Sequence, residues 1–189
     1  MFNFFRRTKR LSPTTDPSTV ADLLSEKLTK SGSDLATLSK IKPVLVVFLR
    51  HAGCTFCHEA VADISKVRQA IEASGTSIVI VHFGNEVAAT KLLAQHGLQN
   101  IDTIHDSNQL LYEAFGLKRG TLGQVASPKV IWRGLRAGLI DGHGIGRQQG
   151  DILQLPGVFL LDDCQVVNSF RHKTAADRPN YLAISCRLN

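Results

Sequence analysis

The chain of 189 residues is long enough to bury one full hydrophobic core, and its 43% hydrophobic and 20% charged residues are typical of a globular protein. No apolar run approaches the roughly 20 residues that a membrane-spanning helix needs. The apolar residues Phe2–Phe5 precede the basic cluster Arg6–Arg10, which reverses the order of a secretory signal. We therefore expect a cytoplasmic protein without a transmembrane segment.

The formal net charge of +6 is concentrated near the N-terminus, since residues 1–42 carry eight Lys and Arg against four Asp and Glu. This segment is interpreted as a basic flexible leader before a domain over residues 43–189. Ala21, Leu24 and Leu28 predict a short amphipathic helix over 20–28. We interpret the leader as a solvated tail. Contact of its basic cluster with an acidic membrane surface is the alternative. Two Tyr and one Trp offer no base-stacking platform, so nucleic acid is not an expected partner.

From residue 44 onward, short apolar runs alternate with segments of helical periodicity. The pattern predicts strands at 44–49, 77–83 and 103–105, and helices at 55–73, 86–96, 108–115 and 129–139. Two further strands, at 158–161 and 166–170, flank the short turn Asp162–Gln165 and predict a hairpin. Parallel crossovers followed by an antiparallel pair predict an α/β fold, a thioredoxin-like mixed β-sheet flanked by helices on both faces.

The most informative feature is a Cys-x-x-Cys pair, Cys54 and Cys57, between the first predicted strand and the helix after it. At a helix N-terminus, unpaired N–H groups and the positive end of the helix dipole favour a thiolate over a thiol. Only a thiolate attacks a peroxide or a disulfide, and the second sulfur is close enough to resolve the product. The pattern predicts Cys54 as nucleophile and Cys57 as resolving thiol, with this dithiol as the only cofactor.

Basic residues beside the pair are candidates for stabilising the thiolate. Arg50 offers a permanent charge and His51 a charge or a hydrogen bond. Alternatively, Arg50 is a surface residue that ends the strand, and His51 is a hydrogen-bonded loop histidine without a role at the site. His58 and Glu59 are expected in solvent without a role, and Arg171 is a weaker candidate to approach the site from the last strand.

Zinc binding is the competing chemistry, because the cysteine pair and either His51 or His58 supply three ligands. A closed zinc site needs a fourth ligand, and Cys164 and Cys186 form no second pair. We therefore predict no metal site. Cys164 is interpreted as a buried core residue and Cys186 as a free C-terminal thiol, with a resolving role for Cys186 as the alternative.

A glycine-rich segment, Gly142–Gly146, superficially matches a dinucleotide-binding turn. Its spacing is G-x-G-x-G, and it follows a helical pattern rather than an apolar strand. We interpret it as a loop, and we expect no bound nucleotide.

Three separated segments carry a family resemblance. Phe48–Cys57 resembles the active-site stretch of the peroxiredoxin-like proteins of the thioredoxin-fold superfamily, the group related to alkyl hydroperoxide reductase and thiol-specific antioxidant proteins. Gly150–Asp162 is similar to their late strand and Phe170–Pro179 to their C-terminal signature, so the resemblance covers about residues 43–181. It implies the thioredoxin fold and a reaction centred on Cys54.

The sequence departs from the peroxiredoxin pattern just before this cysteine. Where peroxiredoxins place Pro and then Thr or Ser, seven and three residues before the nucleophile, this chain has Val47 and His51. Loss of the hydroxyl favours disulfide exchange, whereas the resemblance favours peroxide reduction.

We therefore predict an intracellular thiol-dependent oxidoreductase that acts on a peroxide or a disulfide. The resemblance implies a thioredoxin- or glutathione-type electron donor. A non-catalytic thioredoxin-fold module for binding or redox sensing is the alternative. The sequence does not predict an oligomeric state.

Overall fold

The computed structural model describes residues 17–121 and 153–186. Within these ranges the elements, in chain order, are α1 (Pro17–Glu26), α2 (Leu35–Ile41), β1 (Val44–Phe48), α3 (Thr55–Ala73), β2 (Ser77–His82), α4 (Glu86–Gln95), β3 (Asp102–His105), α5 (Leu110–Ala114), β4 (Gly157–Asp162), β5 (Gln165–Arg171) and α6 (Tyr181–Ile184). Each element predicted from residue 44 to 115, and both hairpin strands, are confirmed to within two residues at either end. The predicted helix at 129–139 and the glycine-rich segment lie outside the described residues.

The strands form one sheet with the order β3-β2-β1-β4-β5. Strand β1 is central: Val46 lies opposite Val79 of the parallel strand β2 and opposite Phe159 of the antiparallel strand β4. Strands β2 and β3 are parallel, and β4 and β5 form an antiparallel hairpin. The prediction of a mixed sheet is confirmed.

Side chains of β1 point alternately to the two faces of the sheet, and both faces are buried. Leu45 and Val47 join a core cluster with residues of α3, α4 and α6. Val44, Val46 and Phe48 join a second cluster with residues of α1, α2 and α5. Burial on both faces explains why the strand sequence is continuously apolar rather than alternating.

The described part of the predicted leader contributes to the second core cluster. Leu24 of α1 and Leu35 of α2 are buried, and the Lys30 N–H donates to the Thr103 carbonyl at 2.9 Å. The helix predicted at 20–28 is observed as α1. Helix α2, whose first turn is capped by the Asp34 side chain, was not predicted. The division of the chain at residue 42 stays a prediction, but the hydrophobic core begins before it.

The hairpin between β4 and β5 turns at Asp163 and Cys164, whose φ angles are 47° and 61°. Two successive left-handed residues are the geometry of the tight turn whose twist matches paired strands. The turn rests on α2, because the Asp163 N–H donates to the Ser39 carbonyl at 2.8 Å. Cys164 is half-buried at the edge of the core rather than inside it, and Cys186 is exposed.

In the part of the chain that the structure describes, no helix has the length and apolar character needed to cross a membrane.

The role of α2 in the core predicts a contrast between two of its side chains. Leu35 is fully buried, so Leu35→Ala should lower the free energy of unfolding by about 2–5 kcal/mol. Ile41, on the same helix, is 73% exposed, so Ile41→Ala should change it by about 0.5 kcal/mol or less. Denaturant unfolding of the two variants checks this. Equal effects would show that α2 is not part of the cooperative core.

Candidate active site

The two cysteines lie where the loop after β1 becomes helix α3. Cys54 is the N-cap residue, with extended backbone (φ −88°, ψ 118°), and Cys57 ends the first turn. The Cys54 N–H donates to the His51 carbonyl at 3.0 Å, which closes the turn before the helix. This placement is the one predicted from the sequence, and it puts Cys54 at the N-terminal end of α3, where the positive end of the helix dipole lies.

Arg50 contacts both sulfurs. Its backbone N–H donates to Cys57 Sγ at 3.3 Å, and its guanidinium Nη1 donates to Cys54 Sγ at 3.6 Å. All three residues are buried, with exposed fractions of 6% for Arg50, 8% for Cys54 and 3% for Cys57. A charge this close to a sulfur, with little water to screen it, favours the thiolate.

The surroundings separate the two thiols in acidity. The hydrogen bond from Cys57, the Arg50 charge and the N–H groups of Cys57 and Phe56 lower the pKa of Cys54 from 9.0 to about 6, although burial opposes them. The hydrogen bond to Cys54, burial and the negative charge of Cys54 raise the pKa of Cys57 well above 9.0. Near neutral pH the pair therefore holds one proton, and it resides on Cys57.

The His51 side chain is uncharged near neutral pH. It is 3% exposed, and burial, with a smaller contribution from the Arg50 charge, lowers its pKa to about 4. Its Nδ1 has no hydrogen-bond partner within residues 17–121 and 153–186. A positive charge on His51 is therefore not available to the thiolate, and a hydrogen-bonding role stays a prediction.

The expectation that Glu59 is solvated is wrong, His58 is only partly exposed, and the weaker candidate Arg171 is not at the site. Glu59 is not solvated: it is 5% exposed, and Arg178 Nη1 lies 3.2 Å from its carboxylate. Arg171 does not approach the cysteines, because it donates to the Phe115 carbonyl and lies over the Phe159 ring on the opposite face of the sheet. His58 is half-buried, with Nε2 at 2.6 Å from the Ala52 carbonyl oxygen.

Two residues that the sequence did not single out hold the loop in place. The Tyr112 hydroxyl donates to the carbonyl of Leu49, the residue before Arg50, and the Val81 carbonyl lies within 3.1 Å of the same hydroxyl. Gly84 lies directly against His51, since a Cβ at position 84 would fall 2.9 Å from the His51 Cβ. Neither contact has a local sequence signal, because each joins segments far apart in the chain.

A cleft opens beside Cys57, with a cavity volume of about 20 Å³. Besides Cys57 and Arg50, its polar side chains are those of Glu59, Asp63, His172, Asp177, Arg178 and Tyr181. Arg178 and Asp177 belong to the C-terminal segment on which the family resemblance drew, and this was the only sequence signal for them.

Among the described residues, no group of three or more His, Cys, Asp or Glu side chains is arranged to hold a metal ion. The competing zinc hypothesis therefore finds no ligand cluster in this part of the chain. Metal content of the purified protein is its direct test.

Comparison with known proteins identifies the family of this chain. The family model described as "AhpC/TSA antioxidant enzyme" matches residues 63–174, more than half of the chain. The chain belongs to this family. The match begins at Asp63, within α3, so it covers the scaffold and leaves out Cys54 and Cys57.

Curated relatives of this AhpC/TSA family member include two fish proteins named prostamide/prostaglandin F synthase. The one from Salmo salar is 30% identical over 131 residues, which are 68% of this chain and 64% of that protein. The one from Danio rerio is 28% identical over 164 residues, 84% of this chain and 80% of that protein. The chain thus spans a little under two thirds of the salmon relative.

A solved structure of Xanthomonas campestris peroxiredoxin Q superposes with a TM-score of 0.56 at 16% identity, over 82% of this chain and 83% of that one. At this identity the likeness shows the fold alone. The predicted thioredoxin-like fold and the predicted AhpC/TSA-related, peroxiredoxin-like family are therefore confirmed.

The contact between Arg50 and Cys54 predicts that Arg50→Gln raises the pKa of Cys54 from about 6 towards 9.0, because the charge that favours the thiolate is lost. The rate of Cys54 alkylation against pH, mapped by mass spectrometry in protein that keeps Cys57, measures this. Arg68→Gln is the matched control, since Arg68 lies on α3 and pairs with Glu72. An unchanged pKa in Arg50→Gln would contradict the assignment.

The close approach of Gly84 to His51 predicts that Gly84→Ala forces the loop away from its position. Overpacking of this kind should lower the free energy of unfolding by about 1–3 kcal/mol and raise the pKa of Cys54. Val87→Ala, at a 79% exposed position nearby, should do neither. Thermal unfolding and thiolate titration of both variants are the measurements, and wild-type behaviour of Gly84→Ala would show that the loop is not constrained there.

Proposed function

We propose that the chain is a thiol-dependent oxidoreductase in which Cys54 is the nucleophile and Cys57 the resolving thiol. The observation that carries the proposal is the contact of Arg50 Nη1 with Cys54 Sγ at 3.6 Å, together with the lowered pKa of Cys54 of about 6. A buried thiol gains nothing structurally from ionisation. Perturbed acidity of this kind concentrates at functional sites.

With a peroxide as oxidant, the Cys54 thiolate attacks one oxygen of the O–O bond. That bond breaks, the other oxygen leaves and takes up a proton as an alcohol or water, and Cys54 becomes a sulfenic acid. Cys57 then attacks Cys54 Sγ, the S–O bond breaks, and the departing hydroxide combines with the Cys57 proton as water. The peroxide is reduced by two electrons, and the dithiol is oxidised to a disulfide.

With a disulfide as oxidant, the same thiolate attacks one of its sulfurs and forms a mixed disulfide. Cys57 then displaces the second thiol and closes the Cys54–Cys57 disulfide. Either cycle needs a reductant, and we propose a dithiol donor of the thioredoxin type or glutathione, in a reducing compartment such as the cytosol. No metal or nucleotide takes part in this scheme.

The absence of a Thr or Ser at position 51 bears on the choice of oxidant. In this chain the slot holds His51, whose ring is buried and neutral, so it offers a peroxide no charge. A hydrogen bond to the peroxide would come from the one N–H of the neutral ring, from Arg50 or from the helix N–H groups. The names of the curated relatives, prostamide/prostaglandin F synthase, add oxygenated lipids to the oxidants worth testing.

One observation favours the alternative of a non-catalytic binding module. Cys54 is 8% exposed and Cys57 is 3% exposed, so little of either residue is accessible to an oxidant in the reduced protein. In a module of this kind, both thiols would stay reduced when the protein is exposed to oxidants that an enzyme would consume.

The deciding experiment follows each cysteine during oxidation. We expect reduced protein, mixed with an equimolar amount of hydrogen peroxide, a lipid hydroperoxide or oxidised glutathione, to form a Cys54–Cys57 disulfide within seconds with at least one of them. Timed alkylation and mass mapping report each thiol. Cys57→Ser should stop at a sulfenic acid or mixed disulfide on Cys54, Cys54→Ser should not react, and Cys186→Ser should behave as wild type.

If both thiols stay alkylatable for many minutes with all three oxidants, the enzymatic proposal fails and a non-catalytic binding module takes its place. Metal analysis of the same preparation tests the zinc hypothesis.

A further inference from the structure

The carboxylate of Asp106 lies outside the cysteine centre, in the turn between β3 and α5. The residue is fully buried, and its Oδ2 accepts a hydrogen bond from the Leu111 N–H at 2.8 Å. Among the described residues, Oδ1 accepts no hydrogen bond. Lys27 Nζ lies 3.7 Å from this oxygen, and 22% of the lysine side chain is exposed. Because the Lys27 N–H donates to the Leu23 carbonyl of α1 at 3.3 Å, the position of this compensating charge depends on α1.

The turn from β3 to α5 is built on Asp106. Its N–H donates to the carbonyl of His82, at the end of β2, at 2.8 Å, and its own carbonyl accepts from the Gln109 N–H at 2.9 Å. Gln109 has a φ angle of 58°, a left-handed backbone that residues with a side chain rarely adopt. Such a conformation persists only where the surrounding contacts impose it. Asp106 supplies contacts of this kind on both sides of Gln109, through its carbonyl and through its carboxylate.

Helix α5 reaches the cysteine centre through Tyr112. The hydroxyl of this residue donates to the carbonyl of Leu49, which directly precedes Arg50. The Arg50 guanidinium in turn lies 3.6 Å from the Cys54 sulfur. A displacement of α5 is therefore passed along the chain to the charge that stabilises the thiolate.

Tyr112 has little freedom to absorb such a displacement. It is 1% exposed, and its ring packs edge-on against those of Phe48 and Phe83, with centroids 4.9 Å and 5.3 Å away. Burial, then the charges of Cys57 and Asp106, raise the pKa of Tyr112 well above 10.0, so near neutral pH its hydroxyl is always a donor. The hydroxyl thus follows the backbone of α5.

The ion pair makes this arrangement conditional on α1. When one partner of a buried pair is removed, the charge that remains is neither hydrated nor compensated, and the structure around it is strongly destabilised. Leu24 of α1 and Leu111 of α5 belong to the same core cluster, so the two helices pack beside the pair. Without Lys27, water would have to enter at the start of α5 to solvate the Asp106 carboxylate.

We propose that Asp106 is a positioning residue for the nucleophile: it holds the start of α5, and thereby Arg50 against Cys54, as long as Lys27 faces its carboxylate. The inference rests on the proposed function, since it concerns the control of the same thiol. Docking of α1 keeps Cys54 reactive, and displacement of α1 would lower its reactivity.

Lys27→Met removes the charge and keeps the aliphatic stem. The rate of Cys54 alkylation against pH, mapped by mass spectrometry in protein that keeps Cys57, should show the pKa of Cys54 raised by about one unit. In an Asp106→Asn background, Lys27→Met should leave this pKa unchanged. There the amide oxygen still accepts from the Leu111 N–H, and no buried charge needs a partner. Lys27→Arg, which keeps the charge, should behave as wild type.

Lys30→Met is the matched control. Lys30 is exposed in the same connection between α1 and α2, and its N–H, which bonds to the Thr103 carbonyl, is kept in the variant. The pKa of Cys54 should be that of the wild type. If Lys27→Met also leaves this pKa unchanged, or raises it equally in the Asp106→Asn background as a general loosening of α1 would, the proposal is overturned.

A second pair of variants tests the positioning role with Lys27 in place, and it decides the question if Lys27→Met does not fold. Asp106→Ala removes the acceptor for the Leu111 N–H and should raise the pKa of Cys54, whereas Asp106→Asn should not. Hydrogen exchange at the Leu111 amide should be faster in Asp106→Ala alone. Equal pKa values of Cys54 in the two variants would overturn the role of Asp106.

Neither measurement uses an oxidant, so the coupling and the enzymatic proposal can fail separately. Dependence of the Cys54 pKa on Lys27, in a protein that peroxides and disulfides leave reduced, would overturn the proposed function and leave the coupling intact. Rapid oxidation of Cys54 in wild type, with no effect of Lys27→Met on its pKa, would do the reverse.

Discussion

The site depends on Arg50, which contacts both sulfurs, one through its main chain and the other through its side chain. The main-chain N–H of Arg50 bonds to Cys57, and its guanidinium lies against Cys54. These contacts require that the chain turn immediately after β1, so that position 50 faces the first turn of α3. The charge stabilises a thiolate on one side, while the proton stays on the other. The different roles proposed for Cys54 as nucleophile and Cys57 as resolving thiol follow from that arrangement.

The rest of the fold fixes the point at which β1 ends. Burial of both faces of this strand leaves it no freedom to shift register, because a slip by one residue would exchange the two core clusters. The Tyr112 hydroxyl binds the Leu49 carbonyl, and Gly84 packs against His51. Strand, tyrosine and glycine come from three distant segments, and together they set the path of the five residues between β1 and Cys54.

Much of this architecture was predictable because its signals are local. The apolar runs of β1, β2 and β4 and the three- and four-residue spacing in α3 identify strands and a helix, and their order gives the mixed sheet. The position of Cys54 and Cys57 at the helix start follows from the same pattern. Helix α2 escaped prediction because it has only seven residues and its burial depends on the sheet beneath it. Glu59 was placed in solvent because its partner, Arg178, lies 119 positions later, and the opposite direction of Arg171 depends on which face β5 presents.

The main-chain origin of one of the two sulfur contacts has an evolutionary consequence. Any residue other than proline at position 50 supplies the N–H that bonds to Cys57. The environment of the resolving thiol is therefore nearly indifferent to sequence change there, whereas that of Cys54 depends on a single side chain. Substitution at position 50 can retune the nucleophile over a wide range of acidity while its partner keeps this contact. A single substitution at position 50 can therefore change the reactivity of the nucleophile while the rest of the fold stays the same.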